Sequence, residues 1–313
     1  MLIKLENLLL NHCYYFIMRL RMQVNKWFQA LIPVCNGDKS HAKRQLIWLK
    51  EKVLIENNRN QSLPLSSLSQ AEQDLLDSYI EQRIKKHKPL QYILGSQPFC
   101  ELDIVTRPPI LIPRFETEEW IMKVSNLISD QLSKGQRLSQ PLEILDVGTG
   151  TGCIALALAR HLPRDSAHVT GIDISSEAIA LANQNYHNCK QSLNNTVSFK
   201  EIDVFKLNQQ PNMIVSNPPY ITTNEYKDLE PDVKDWEDPR ALVAAEEGTF
   251  VHKRIIELAK ECRPVFKDIP YLFMEIGGRH QVEILKTQMS KNGFQNIEVW
   301  KDFADKDRVI LGY

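Results

Sequence analysis

Residues 142–159 read LEILDVGTGTGCIALALA, and this stretch decides the fold. It begins with an apolar run of strand length and ends with a run that favours a helix until Pro163 interrupts it. Between the two runs, glycines at 148, 150 and 152 permit positive φ angles and let the backbone come close to a ligand. The stretch therefore predicts a β-strand, a tight turn and a helix whose unpaired N–H groups can bind a nucleotide-like ligand.

The spacing of these glycines differs from the dinucleotide-binding pattern, because Cys153 stands where the third glycine would be expected. NAD is therefore disfavoured as the ligand. Asp173 ends the next apolar run, about 20 residues beyond the turn, where a carboxylate can accept hydrogen bonds from both hydroxyls of a ribose. An ordinary exposed aspartate at the strand end is the alternative.

Two more predicted strands end in polar residues. The run 196–202 is followed by Asp203, and the run 213–216 is followed by Asn217. In a doubly wound parallel sheet the carboxyl ends of the strands border one crevice, so these residues should share a site with Gly148 and Asp173. Asp203 is predicted either to contact an adenine amino group or to cap a turn.

The tetrapeptide Asn217-Pro218-Pro219-Tyr220 indicates methyl transfer to a planar nitrogen. An amide or exocyclic amine is a poor nucleophile, so a catalyst must hold both N–H bonds and aim the lone pair at the methyl group. The Asn217 side-chain oxygen and the Pro218 carbonyl can accept those bonds, and the prolines stiffen the turn. Tyr220 offers a flat face to the substrate. Alone, the tetrapeptide could also be a proline-terminated strand.

Together these motifs resemble the HemK/PrmC family of class I methyltransferases. The resemblance runs from about Pro89 to the C-terminus and covers several separate segments. They are residues 89–95 with Phe99, 111–118, the glycine turn, 217–220, 239–242, and 301–302 with 307–309. Two positions depart from the family pattern: Phe115 stands where proline is usual, and Val204 stands where some members carry an aromatic residue.

The resemblance implies an α/β, Rossmann-like class I methyltransferase fold with a seven-stranded, mostly parallel sheet and a small N-terminal all-helical domain. It also implies methyl transfer from S-adenosylmethionine to the side-chain N5 of the glutamine in the Gly-Gly-Gln motif of a peptide-chain release factor. The implied cofactor-binding residues are Gly148, Thr149, Gly150, Thr151, Gly152, Asp173, Asp203, Val204 and Asn217. The implied catalytic and substrate-binding residues are Asn217, Pro218, Pro219 and Tyr220.

Composition and periodicity predict two domains in the 313 residues. Residues 40–88 have apolar positions at helical spacing and are predicted to form a helical bundle, with Ser69 and Glu72 as a capping box. Residues 89–115 are rich in proline and are predicted to be an extended linker, which the resemblance makes a hairpin. Residues 116–313 form the predicted methyltransferase domain.

Charge is distributed unevenly between the two parts of the chain. Residues 1–89 carry 14 basic and 8 acidic side chains, whereas residues 90–313 carry 24 and 31. A net-acidic catalytic domain argues against duplex DNA as substrate, since DNA enzymes need many phosphate contacts. Two rival functions stay open: N6-adenine methylation of DNA or RNA, and a non-catalytic module that binds S-adenosylmethionine or a translation factor.

The remaining signals concern redox state, metals and membranes. The six cysteines are dispersed, which indicates reduced thiols, and the eight histidines show no metal-ligand spacing, so no metal is predicted. No run of eighteen apolar residues predicts a membrane span. The sequence leaves the oligomeric state open, with a monomer favoured.

Residues 1–39 are predicted to be a targeting segment. No acidic residue lies between Glu6 and Asp38, and basic side chains alternate with apolar ones in the way typical of an amphipathic mitochondrial presequence. Met18 is a candidate alternative start. A basic first helix of the bundle is the competing interpretation, and the cytoplasm is the alternative to a mitochondrial location.

Overall fold

The computed structural model describes residues 22–134 and 138–313. Their backbone divides into two compact units, with the division between Gly95 and Ser96. The predicted targeting segment lies mostly outside the described residues, and its part from residue 22 onward belongs to the first unit.

The first unit is helical, as expected. Its helices are α1 (22–31), α2 (Lys39–Glu56), α3 (Gln70–Lys85) and α4 (Leu90–Leu94). Their apolar faces enclose one core, which includes the fully buried Leu49 and Leu76 and, from α1, Trp27. Ser69 and Glu72 form the predicted capping box at the start of α3. Local capping chemistry was therefore readable from the sequence.

The segment 89–115, predicted to be an extended linker, is divided between the two units. The predicted extended conformation is wrong for its first part, because residues 90–94 form the helix α4. Four residues without proline follow Leu90, and Gly95 ends the helix with a φ of 90°. The second part contains the expected hairpin, with β1 (Ser96–Phe99) antiparallel to β2 (Leu102–Val105).

The second unit contains a seven-stranded sheet with the order β5-β4-β3-β6-β7-β9-β8. Its strands are β3 (Leu142–Val147), β4 (Ala167–Asp173), β5 (Thr196–Glu201), β6 (Met213–Ser216), β7 (Leu272–Glu275), β8 (Ile297–Lys301) and β9 (Asp307–Gly312). The first five strands are parallel, and β9 runs antiparallel to both β7 and β8. The predicted seven-stranded, mostly parallel sheet is confirmed.

Helices pack on both faces of this sheet. They are α5 (Phe115–Ser133), α6 (Cys153–His161), α7 (Ser176–Cys189), α12 (Phe250–Ala259) and α13 (Arg279–Lys291). Four short helices lie between β6 and α12 in the chain: α8 (Thr223–Lys227), α9 (Pro231–Lys234), α10 (Pro239–Leu242) and α11 (Ala245–Gly248). Side chains alternate across each strand, so Ile144 of β3 belongs to the core with α5 and α6, whereas Leu145 belongs to the core with α12 and α13. No described helix combines the length and apolar character required to cross a membrane.

The strand order determines where on the sheet the candidate site lies. The chain builds β3, β4 and β5 outward in one direction and then returns to place β6 and β7 on the other side of β3. Between β3 and β6 the connections therefore diverge, and a crevice opens beyond the carboxyl ends of these strands. Gly148 follows β3 and Asn217 follows β6, so both predicted motifs lie at this switch point.

Candidate active site

The glycine turn is attached to the end of β4. Gly148 and Thr149 both donate backbone hydrogen bonds of 2.9 Å to the Ile172 carbonyl. The Asp173 carboxylate accepts from the backbone N–H of Gly150 at 3.0 Å and from that of Ser175 at 2.9 Å. Asp173 therefore fixes the turn through both of its carboxylate oxygens.

A second carboxylate supports the turn from below. Asp146 is completely buried, and its Oδ2 accepts from the Thr149 hydroxyl at 2.6 Å and from the Ala155 N–H at 3.2 Å. Burial raises the pKa of Asp146 to about 7, and these two hydrogen bonds oppose the rise. Its other oxygen has no hydrogen-bond partner among the described residues. The strand end thus carries a carboxyl group that titrates near neutral pH.

The turn borders a cavity of about 390 Å³. Ten of the predicted site residues line it: Gly148, Thr149, Gly150, Thr151, Asp173, Asp203, Val204, Asn217, Pro218 and Pro219. A volume of this size suits a ligand of nucleoside dimensions. Gly150 shows how the backbone forms a cradle, because a Cβ built on it would meet no atom within 4 Å. The structure therefore brings most of the predicted site together in one concave space.

Two predicted site residues do not line the cavity. A Cβ on Gly152 would lie 2.8 Å from the Phe199 ring, so this glycine lets β5 and the start of α6 pack closely. Tyr220 is not among the residues that line the cavity, and its hydroxyl donates to the Glu275 carboxylate at 3.3 Å. Its backbone carbonyl accepts from the Gln281 side chain at 2.9 Å.

Asp203 caps a turn, as one of its two predicted roles required, and also lies at the cavity. Its Oδ1 accepts from the Phe205 N–H at 3.0 Å and so caps the short helical turn Val204–Lys206. Asp203 also lines the cavity, together with Val204 and Phe205. The Phe205 ring stacks on Phe250 with the ring centroids 5.0 Å apart. This pair supplies an aromatic surface next to Val204, where some family members carry an aromatic residue.

The tetrapeptide after β6 is held by side chains from distant parts of the unit. The Asn217 amide donates through Nδ2 to the Thr117 hydroxyl at 3.1 Å. Thr117 lies in α5 and donates in turn to the Glu275 carboxylate at 2.6 Å. Within the described part of the chain, no donor occupies the Asn217 Oδ1 or the Pro218 carbonyl. Two acceptor oxygens at the cavity are thus available to a substrate.

One wall of the cavity comes from the segment before α5, including Leu111, Pro113 and Arg114. Arg114 forms an ion pair of 2.5 Å with Glu237, a side chain that is only 3% exposed. Burial raises the pKa of Glu237, and the Arg114 guanidinium opposes that rise. Glu237 also accepts from the Ile112 N–H at 3.3 Å. The only sequence signal for this wall was the resemblance of residues 111–118.

The arrangement suits transfer of a group to a planar nitrogen. A cradle of backbone and carboxylate groups lies beside two acceptor oxygens that can each hold one N–H bond. Proline at 218 and 219 removes competing backbone donors at this point. The site contains the parts for binding a nucleoside and for orienting an amide or amine.

Comparison with known proteins gives a consistent result. A family model described as "Methyltransferase domain" matches residues 138–269. The release factor glutamine methyltransferase of Fusobacterium nucleatum is 38% identical over 234 residues, which cover 73% of this chain and 61% of that protein. The chain thus spans about three fifths of the length of this relative.

A relative in Schizosaccharomyces pombe matches over almost the whole chain. It is named probable MRF1 mitochondrial N(5)-glutamine methyltransferase and is 31% identical, with 90% of this chain and 91% of that protein covered. Among solved structures, the hMettl16 catalytic domain in complex with an RNA hairpin superposes with a TM-score of 0.52. It is 15% identical and covers 78% of this chain and 82% of that one, which shows a shared fold only.

Proposed function

The chain belongs to the family of release factor glutamine methyltransferases, and we propose that it methylates the glutamine of the Gly-Gly-Gln motif in a class I peptide-chain release factor. The methyl group goes to the side-chain amide N5. One observation carries the proposal: Asn217 Oδ1 and the Pro218 carbonyl have no donor from the described residues, and both residues line the cavity that the glycine turn borders.

The proposed methyl donor is S-adenosylmethionine. Gly148 to Thr151 would approach its amino-acid portion and ribose with the backbone, because the open space at Gly150 is a cradle that a side chain would fill. Asp173 would accept from the ribose hydroxyls, and Asp203 with Val204 would border the adenine. Gly152 serves the same site by allowing close packing below the turn. The donor supplies an electrophilic methyl group, and the chain supplies its orientation.

The chemistry of the acceptor follows from the amide group. Its nitrogen lone pair is delocalised, so the enzyme must fix the NH₂ plane relative to the methyl donor. Asn217 Oδ1 and the Pro218 carbonyl would each accept one N–H bond, and Pro219 would stiffen the turn. Tyr220 would pack beside the amide, with its hydroxyl held by Glu275. No carboxylate base is needed, since the proton leaves after the nitrogen gains positive charge.

We place the enzyme in the mitochondrion. The relative in Schizosaccharomyces pombe and a second one in Saccharomyces cerevisiae, which is 33% identical, are both named as mitochondrial enzymes that act on MRF1. A mitochondrial class I release factor is accordingly the proposed partner. The cytoplasm is the alternative location, because bacterial relatives are also similar.

The test measures methylation directly. The full chain is incubated with S-adenosylmethionine and a purified mitochondrial class I release factor, and the Gly-Gly-Gln peptide is analysed by mass spectrometry. A gain of one methyl group on the glutamine, absent without the enzyme, is the expected result. A release factor with alanine in place of that glutamine is the matched control and should stay unmodified.

Parallel reactions with DNA and RNA address the rival activity. Labelled methyl groups should appear in the release factor and not in either nucleic acid. Labelling of adenine alone would replace the proposal by N6-adenine methylation. Binding of the donor with no labelled product in any of the three reactions would indicate a non-catalytic module.

A further inference from the structure

Glu275 is a buried carboxylate that connects both ends of the tetrapeptide Asn217–Tyr220. It ends β7 and is 1% exposed. Its Oε2 accepts from the Thr117 hydroxyl at 2.6 Å and from the Trp120 indole N–H at 3.0 Å. Its Oε1 accepts from the Tyr220 hydroxyl. One side chain thus supports Tyr220 directly and Asn217 through Thr117.

The donors around Glu275 determine the direction of this hydrogen-bond chain. The indole N–H of Trp120 can only donate, so Oε2 acts as an acceptor. The Thr117 hydroxyl, 2.6 Å from the same oxygen, therefore donates its single hydrogen bond to Oε2. With its proton used, the Thr117 oxygen can only accept from its other neighbour. That neighbour is the Asn217 amide.

An asparagine amide has one donor end and one acceptor end, which lie in one plane on either side of the Cβ–Cγ bond. If Thr117 accepts, Asn217 must present its NH₂ to Thr117, as the Nδ2 contact of 3.1 Å shows. The opposite end, Oδ1, is then the one left for a guest in the cavity. A flipped amide would present NH₂ to the substrate nitrogen, which also carries N–H bonds, and the two donors would repel each other.

We propose that Thr117 and Glu275 are positioning residues that lock the Asn217 amide with its oxygen toward the methyl-accepting nitrogen. This inference rests on the proposed function, because it assigns the orientation of an acceptor in that reaction. Thr117 lines the cavity, but its hydroxyl and the Glu275 carboxylate are used within the network. Both act through Asn217 and Tyr220.

The orientation does not depend on the charge of Glu275. Burial raises the pKa of this carboxyl, and the hydroxyl of Thr117 and the N–H of Trp120 oppose the rise. A proton on the carboxyl would belong on Oε1, because the Tyr220 oxygen can accept it while Trp120 and Thr117 still donate to Oε2. An uncharged side chain with one accepting oxygen should therefore be able to take over the function of Glu275, whereas an apolar side chain should not.

The first test uses Thr117→Val, which replaces the hydroxyl by a methyl group of similar size. The Asn217 amide loses its fixed acceptor, and we expect kcat to fall roughly 10- to 100-fold, as misplaced reacting groups do. The KM for S-adenosylmethionine should change less than about threefold. Thr117→Ser restores the hydroxyl and should recover most of the lost turnover. Unchanged kcat in Thr117→Val would overturn the proposal.

Ser125→Ala is the matched control. Ser125 lies on the same helix, is 1% exposed, and its hydroxyl has no partner among the described residues. Losing this buried hydroxyl should leave kcat and KM unchanged. A similar fall in kcat in Ser125→Ala would indicate that any buried change in α5 impairs the enzyme, and that result would also overturn the proposal.

A second pair of variants keeps the test decisive if Thr117→Val does not fold. Glu275→Gln retains an oxygen that can accept from Thr117 and Trp120, so it should keep at least roughly a tenth of the wild-type kcat. Glu275→Leu removes that oxygen and should keep less than roughly a hundredth, with the folded fraction measured by circular dichroism. Equal activity of the two variants would contradict the proposed network.

The wild-type reaction distinguishes failure of the proposed methylation activity from failure of the positioning role. If the wild-type protein methylates neither the release factor nor nucleic acid, the proposed function fails, and the positioning role fails with it. If the wild type methylates the release factor while Thr117→Val keeps the wild-type kcat, only the positioning role fails.

Discussion

The Asp173 carboxylate accepts a hydrogen bond of 3.0 Å from the backbone N–H of Gly150, 23 residues earlier in the chain. This bond joins the end of β4 to the turn after β3, and both residues line the same cavity. Burial raises the pKa of Asp173, and the backbone N–H groups of Ser175 and Gly150 oppose the rise. The residue therefore shapes the turn from a position on the cavity wall.

The first prediction concerns this carboxylate. Asp173→Ala should weaken binding of S-adenosylmethionine at least roughly tenfold, since a hydrogen bond to a charged group is worth about 1.5–3 kcal/mol. Isothermal titration calorimetry measures the change. Asp165→Ala is the control, because Asp165 is an exposed turn residue away from the cavity lining. Equal affinities of Asp173→Ala and the wild type would remove Asp173 from the binding site.

The second prediction concerns the proposed acceptor. Asn217→Ala should abolish methylation, because the substrate amide loses one of its two fixed acceptors, while affinity for S-adenosylmethionine stays within about tenfold, or 1.4 kcal/mol. Single-turnover kinetics and a binding titration separate the two effects. Asn296→Ala, at an exposed position before β8, should behave as the wild type. Comparable turnover by Asn217→Ala would exclude this residue from the mechanism.

The third prediction concerns the pH dependence of stability. The folded-state pKa of Asp146 is about 7, above its ordinary value of 3.8, so its stabilising contribution is complete at low pH and is lost as pH rises toward 7. Asp146→Asn does not titrate. Relative to the wild type, this variant should therefore gain roughly 2–3 kcal/mol between pH 5 and pH 8.

Urea unfolding at several pH values measures this difference. Asp165→Asn changes an exposed carboxylate and should give a stability curve parallel to that of the wild type. Parallel curves for Asp146→Asn and the wild type would show that the buried carboxyl group does not titrate in this range.

The fourth prediction concerns a glycine behind the tetrapeptide. Gly248 has a φ of +74°, and a Cβ on it would lie 2.0 Å from the Tyr220 carbonyl oxygen. Gly248→Ala should therefore displace Tyr220, lower the free energy of unfolding by about 3 kcal/mol or more, and reduce turnover. Thermal unfolding and the methylation assay measure both effects.

Gly293 supplies the matched control for this change. It has a φ of +96°, and a Cβ on it would meet no atom within 4 Å. Gly293→Ala should cost only the backbone strain, about 1–2 kcal/mol, and should leave turnover unchanged. If Gly248→Ala and Gly293→Ala were equally stable and equally active, the close approach of residue 248 to the Tyr220 carbonyl would not affect stability or turnover.

The sequence by itself determined the strand, turn and helix of residues 142–159, the identity of the tetrapeptide at Asn217, and the family. These signals are local: hydrophobic periodicity, glycine at positions of positive φ, and proline after a strand act within a few residues. They also predicted a parallel sheet for the four strands that end at residues 147, 173, 201 and 216, whereas the seven-stranded sheet followed from the resemblance to the family.

Only the tertiary structure decided what holds these motifs in place. Glu237 follows Trp236 and belongs to none of the motifs, yet it is buried against Arg114, 123 residues earlier. Thr117 lies in the segment 111–118 and Glu275 lies in no motif, 158 residues further on, yet together they orient Asn217. Such roles depend on contacts between distant segments. No local pattern encodes them, because each residue becomes a partner only when the sheet and α5 pack together.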